Sequence, residues 1–303
     1  MVERVYGSEN QAVAAILNNS AELYRKQGRY QKAEPLLQRA LGIFEKEFGK
    51  NHSSSATTLH NLALLYLEQG QYSMAEPPLN SVLAILEKVL GAEHPEVAKV
   101  LDNLAALKQV QGRYNDAESM RQRALTIFER AFGKEHPDVA IALNNLAEVY
   151  RAQGRDADAE PLYLRALAID EKIWGLNHPG NATLLNNIAQ LYRANGRYAA
   201  ALPLYLRAQE ITEKAWGSEH PTLAGLLNNL AEWHVDQHDY GSAEPLFRRA
   251  LAIGENSVGR EHPTVILVRR NLAETLRHLG RDDEAKALES APAAPEPGSL
   301  TTP

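Results

Sequence analysis

Cysteine is absent from the 303 residues, so disulfides and thiol chemistry are excluded. That absence fits a reducing compartment. No stretch approaches the ~20 apolar residues of a membrane span, and the N-terminal MVERVYGSENQAV lacks the apolar core of a secretory signal. There is no run of Lys or Arg, and the formal net charge is −6. Both argue against a general affinity for nucleic acid or an anionic membrane. The phosphate-cradling patterns GxGxxG and GxxxxGK followed by Ser or Thr are missing. No carboxylate pair or Ser/His/Asp set stands apart from the rest of the chain. The chain reads as cytoplasmic, without a cofactor.

What is there is a repeat. Asn19, Asn61, Asn103, Asn145, Asn187, Asn229 and Asn271 recur every 42 residues without insertion or deletion. Gly28, Gly70, Gly112, Gly154, Gly196, His238 and Gly280 form a second column, and Ala33, Ala75, Ala117, Ala159, Ala201, Ala243 and Ala285 a third. A fixed period in this range marks an elongated array whose units stack only on their neighbours. Seven near-identical surfaces suit the holding of something long better than catalysis, and the chain is read as no enzyme.

The unit at 136–175 is representative. His136-Pro137 opens it, since proline is tolerated in a first helical turn, and Asp138 suits the positive end of the helix dipole. Leu143, Leu146, Ala147 and Tyr150 follow at i, i+3, i+4 and i+7, one apolar stripe. Gly154 closes this helix in the left-handed conformation. Ala159, Leu162, Tyr163, Ala166, Leu167, Ile169 and Ile173 then define a second helix, ended by Gly175. Each unit is therefore a helical hairpin with two apolar stripes that only stacking buries. Ala147 and Ala159 let the two helices approach closely. Pro35, Pro77, Pro161, Pro203 and Pro245 fall inside the second-helix pattern, where a kink or a distorted first turn is expected.

Leu62, Ala63, Tyr66, Gly70, Tyr72 and Ala75, with Ala166-Leu167 at the far end of the pattern, resemble a tetratricopeptide repeat. The 42-residue length, the Leu-Asn-Asn-Leu-Ala run at 143–147 and the Gly-x-x-His-Pro linkers more closely resemble the repeats of kinesin light chains. The resemblance covers about residues 8–289. It implies an all-α, right-handed superhelical solenoid of about seven hairpins. The heptad coiled coil that precedes the repeats of kinesin light chains is not in this sequence, which leaves the cargo-type binding surface as what the resemblance implies. Residues 1–7 align with the end of a second helix and are read as the remnant of a preceding one. Residues 290–303, rich in Pro and Ala, are read as a disordered tail.

In that family the first helices line a concave face on which an extended peptide lies. The asparagines fall on those helices, where asparagine is a poor interior residue. Two readings stand: a ladder of amides, Asn61, Asn103, Asn145, Asn187 and Asn229 among them, that reads a partner's backbone, or bonds between neighbouring repeats that fix their angle. A looser column holds Asn18, His60, Asp102, Asn144, Asn186, Asn228 and Arg270, and its variation is read as exposure. The pairs are cleanest at Asn144, Asn145, Asn186, Asn187, Asn228 and Asn229, which places the expected centre of binding there. Glu22/Arg25, Glu148/Arg151 and Glu274/Arg277 are spaced for mutual support on one helix. Gln190 leaves Arg193 without such a partner. With Arg151 and Lys99, it forms a cationic strip able to receive a partner's carboxylates.

His52, His94, His136, His178, His220 and His262 lie one per linker, too far apart to share an ion, and are read as helix openers. His234 and His238 straddle a helix end, and no metal site is assigned to them. Phe48, Leu90, Phe132, Trp174 and Trp216 share a column read as core, as does the column of Trp233. The expected function is a scaffold that binds an extended peptide of a partner protein, with self-association through ends that lack caps. The alternative is a regulatory array belonging to a larger ATPase- or protease-linked signalling protein.

Overall fold

A computed structural model describes residues 7–290. Among the described residues it is all helical, with fourteen helices and no strand. They alternate between first helices, α1 (Gln11–Lys26), α3 (Ser53–Glu68), α5 (Pro95–Val110), α7 (Pro137–Ala152), α9 (Asn181–Ala194), α11 (Thr222–Asp236) and α13 (Pro263–His278), and second helices. The second helices are α2 (Tyr30–Phe48), α4 (Tyr72–Leu90), α6 (Tyr114–Phe132), α8 (Asp156–Trp174), α10 (Tyr198–Trp216), α12 (Tyr240–Val258) and α14 (Asp282–Ser290). The chain divides into two compact units, residues 1–159 and 160–303. Within each unit a first helix packs on its own second helix, and that second helix on the next hairpin. Residues 1–6 of the expected helix remnant and 291–303 of the expected tail lie outside the described residues; Gly7 is non-helical at φ 84°, and Ser290 closes α14.

The linker histidines open the helices by a side-chain bond. The Nδ1 atoms of His52, His94 and His136 each accept from the backbone N–H two residues on at 3.2 Å, satisfying one of the donors that a helix start leaves free. Asn10 does the same for α1. Each of His52, His136, His178 and His220 also stacks on the aromatic ring four residues before it, with centroids 4.4–5.3 Å apart. This corrects the reading of that column as core. Phe48, Leu90, Phe132, Trp174 and Trp216 are exposed, Trp174 at 52%. Each closes a helix, and the four aromatic ones brace the histidine that follows. His136→Ala should therefore cost about 1 kcal/mol, and His136→Asn much less, in urea denaturation.

Helix ends follow the glycine columns. Gly154 sits at φ 74°, with its N–H on the Arg151 carbonyl and the next N–H, from Arg155, on that of Tyr150. The helices with internal proline run on unbroken through Pro35, Pro77, Pro161, Pro203 and Pro245. Each proline is exposed, and so is the residue four before it, so water can take the carbonyl that loses its partner.

The core lies between the helices of each hairpin. Both alanine columns, from Ala21 and Ala33 onward, are fully buried. The largest buried side chains, Leu37, Leu79, Tyr163, Tyr205 and Phe247, occupy one second-helix column. In the third repeat that column holds Arg121, buried to 4% exposure. Trp233 is half-buried against Ala189, Ala201, Tyr205 and Leu230, as expected, and its indole N–H donates to the Tyr198 carbonyl at 3.0 Å.

Candidate functional site

The asparagine column is used first of all by the fold. Asn61 Nδ2 donates to Asn18 Oδ1 at 3.1 Å, and Asn145 Nδ2 to Asp102 Oδ2 at 3.1 Å. In the second unit Asn229 donates to Asn186 at 3.0 Å and Asn271 to Asn228 at 3.1 Å. Each bond ties a first helix to the one before it, so the repeat-to-repeat reading holds at these positions. Asn144 and Asn228 also donate to Glu148 at 3.2 Å and Glu232 at 2.9 Å. Asn187 is half-buried. The looser column is not the exposed one expected. Asn18 and Asn228 are buried, and only Arg270 is open. Burial pushes the Asp102 carboxyl up and the His60 imidazole down, the charged form being disfavoured in both.

The ladder is interrupted at one place in the first unit. Where the previous helix would offer an amide or carboxylate, it presents His60, and neither the His60 nor the Asn103 side chain has a hydrogen-bond partner among the described residues. Both line a pocket of about 480 Å³ between α3 and α5. Its apolar wall is Ala56, Val82, Leu86 and Val100, and Ser53, Thr57, Glu96, Lys99 and Asp102 complete it. In the second unit the same repeat positions enclose about 410 Å³ around Asn228, Asn229, Gly254, Leu267 and Val268. Gly254 makes room where other repeats have Phe44, Leu86 or Phe128. One column on the first helices, Thr57, Lys99 and Ile141 in one unit and Thr183, Gly225 and Leu267 in the other, is exposed throughout and lies beside these pockets.

Two of the three cations of the expected strip are already paired. Arg193 is not free: its Nη1 lies 2.5 Å from Glu232 and its Nε 2.7 Å from Asp236, on the next first helix. Lys99 pairs with Glu96 at 2.7 Å, and Arg151 is half-buried. Two expected same-helix pairs are also replaced. Arg25 bonds Glu68 in the next repeat, and Arg277 reaches Glu289 at 2.6 Å.

Two further ladders were missed in the sequence. Arg155 bonds Glu118 at 2.9 Å, Arg197 bonds Glu160 at 2.7 Å, and Arg281 bonds Glu244 at 2.7 Å, each 37 residues back. Where this arginine column turns to Asp239, its glutamate column turns to Leu202, so both charges are lost together. Arg123, Arg207 and Arg249 each hold a glutamate of the preceding second helix at 2.7 Å and a carbonyl in the linker behind it. The signal was present as two columns of opposite sign at constant separation.

The sixth-repeat histidines point to different partners. His234 Nδ1 lies 3.0 Å from Asp239 Oδ2, and His238 Nδ1 lies 3.3 Å from the Tyr240 hydroxyl. His238, at φ 59°, is the one non-glycine with positive φ among the described residues. A Cβ in that conformation is strained. His238→Gly should raise stability by about 0.5–1 kcal/mol in thermal denaturation, and His238→Ala should give no such gain.

Stacked helical hairpins with charge and amide ladders between them define a helical repeat protein. A profile of the tetratricopeptide repeat matches residues 12–88, 96–172, 180–256 and 222–289, and the chain belongs to that family. Its members generally mediate protein–protein interaction. The solved Podosopora anserina putative kinesin light chain nearly identical TPR-like repeats are 28% identical, with a TM-score of 0.60 over 68% of this chain and 98% of that one. BtubC (BKLC) from P. vanneervenii is 23% identical, with a TM-score of 0.58 over 82% of this chain and 94% of that one. Aspartyl phosphate phosphatase F from Bacillus subtilis shares the fold at 14% identity, with a TM-score of 0.66 over 91% and 68%. The comparison with curated proteins returned no match. No helix of the described residues is long and apolar enough to cross a membrane.

Proposed function

We propose that the chain is a scaffold that binds an extended segment of a partner protein along the face of its first helices. The observation that carries this is the interruption of the asparagine ladder. At Asn103 an amide with donor and acceptor capacity lies on a pocket of about 480 Å³ instead of bracing a neighbour. An extended peptide presents alternating N–H and C=O groups that such an amide matches regardless of side chain. The exposed Thr57/Lys99/Ile141 column offers the track on either side. Each bond contributes about 0.5–1.5 kcal/mol net. After the ordering of a flexible segment, micromolar affinity is the expected result.

A displayed library of disordered peptides, screened against the whole chain, tests this. Peptides captured by the parent should be lost on Thr57→Trp, which fills the mouth of the pocket, and kept on Thr126→Trp, an exposed position on α6. Capture unchanged by Thr57→Trp would move binding away from this face.

A further inference from the structure

Resting on that reading, we infer that the pocket between α3 and α5 recognises a lysine side chain of the bound peptide. The lining carries Glu96 and Asp102 against a single cation, Lys99, and that cation is already held by Glu96 at 2.7 Å. Of the other charges that act on the pocket groups, Asp138 from α7 acts on Lys99 and adds to the negative side, and the rest come in opposed pairs. Arg25, which acts on His60, is bonded to Glu68. Arg121 from α6 and Glu148 from α7 act on Asp102 with opposite sign. With Glu96 and Asp138 on one side and Lys99 on the other, the balance at the mouth is negative even where burial disfavours the charged form of Asp102.

Its hydrogen-bonding capacity has the same bias. Burial disfavours the charged form of His60, and the neutral imidazole offers one ring nitrogen as an acceptor. Asn103 offers Oδ1, and Glu96 a second carboxylate oxygen beside the one that holds Lys99. Three acceptors around one mouth match the three donors of an ammonium group. Ala56, Val82, Leu86 and Val100 supply the apolar wall along which a four-carbon stem lies while its head stays polar. A carboxylate entering the same space would meet Glu96 and Asp102, with a cation already occupied by Glu96 and otherwise only neutral donors on Asn103, His60, Ser53 and Thr57.

This assigns Lys99 the role of a competitor for Glu96, the reverse of a receptor for acidic partners, and the sign of its removal is the test. Two libraries of extended dodecapeptides are screened on the whole chain, identical except that the central residue is fixed as Lys or as Glu. The expected result is enrichment from the lysine library. Its retention should rise about two- to fivefold on Lys99→Met and fall by a similar factor on Glu96→Gln, the range of one exposed ion pair. Both positions are exposed, so folding is unaffected and circular dichroism checks it. Enrichment from the glutamate library that Lys99→Met abolishes overturns the lysine assignment and leaves the first-helix face standing. Absence of enrichment from both libraries on the folded parent overturns the lysine assignment and the peptide reading together.

Discussion

Phe247→Ala should lower stability by about 3–5 kcal/mol, the cost of removing a fully buried aromatic ring from a core that only partly closes over the gap. Phe247 is 1% exposed on α12, in the column that also holds the buried Tyr163 and Tyr205. It packs where α11 and α13 meet α12, beside Val235 and Thr275. A repeat array transmits loss mainly to neighbours. Amide exchange should therefore speed up in α11–α14 far more than in α1–α4. Urea denaturation followed by exchange mass spectrometry measures both. A uniform loss of protection in all helices would argue against nearest-neighbour stability.

Asn145→Ala should cost about 1–3 kcal/mol, because it leaves the half-buried Asp102 carboxylate without its donor. Asn103→Ala, in the same sequence column, should change stability by less than about 0.5 kcal/mol, since it makes no such bond. Adding Asp102→Ala to Asn145→Ala should recover most of the loss, as removing both partners leaves nothing unsatisfied. Equal effects of Asn103→Ala and Asn145→Ala would contradict the description of the ladder as interrupted.

These contrasts mark what was legible in the sequence. Helix, turn and hairpin order follow from residue type at a fixed period, because Gly154 and His136 act through local backbone geometry that their neighbours cannot change. Burial was legible where the demand is steric, as with Ala147 and Ala159. It was not legible at Trp174 and Trp216. An aromatic ring is apolar wherever it stands, and only the position of the following histidine shows that it is used as a brace. Charges were the least legible. Arg193 reads as unpaired and open to a partner's carboxylate when its helix is taken alone, yet Glu232 and Asp236 of the adjacent repeat hold it. The asparagine column was open to both readings, and which amide braces a neighbour depends on what sits 43 positions earlier: Asp102 for Asn145, but His60 for Asn103. That mismatch leaves the Asn103 amide on the pocket, whereas at the equivalent pocket of the second unit Asn228 accepts from Asn271.

The most direct measurement of the central claim is the affinity of one library-selected peptide for the parent, Asn103→Ala and Asn145→Ala, with the stability of each variant measured alongside. Weaker binding by Asn103→Ala at unchanged stability, with Asn145→Ala destabilised, is the predicted result. Equal affinity for the parent and Asn103→Ala would contradict the account and show that the free amide is not part of the binding face.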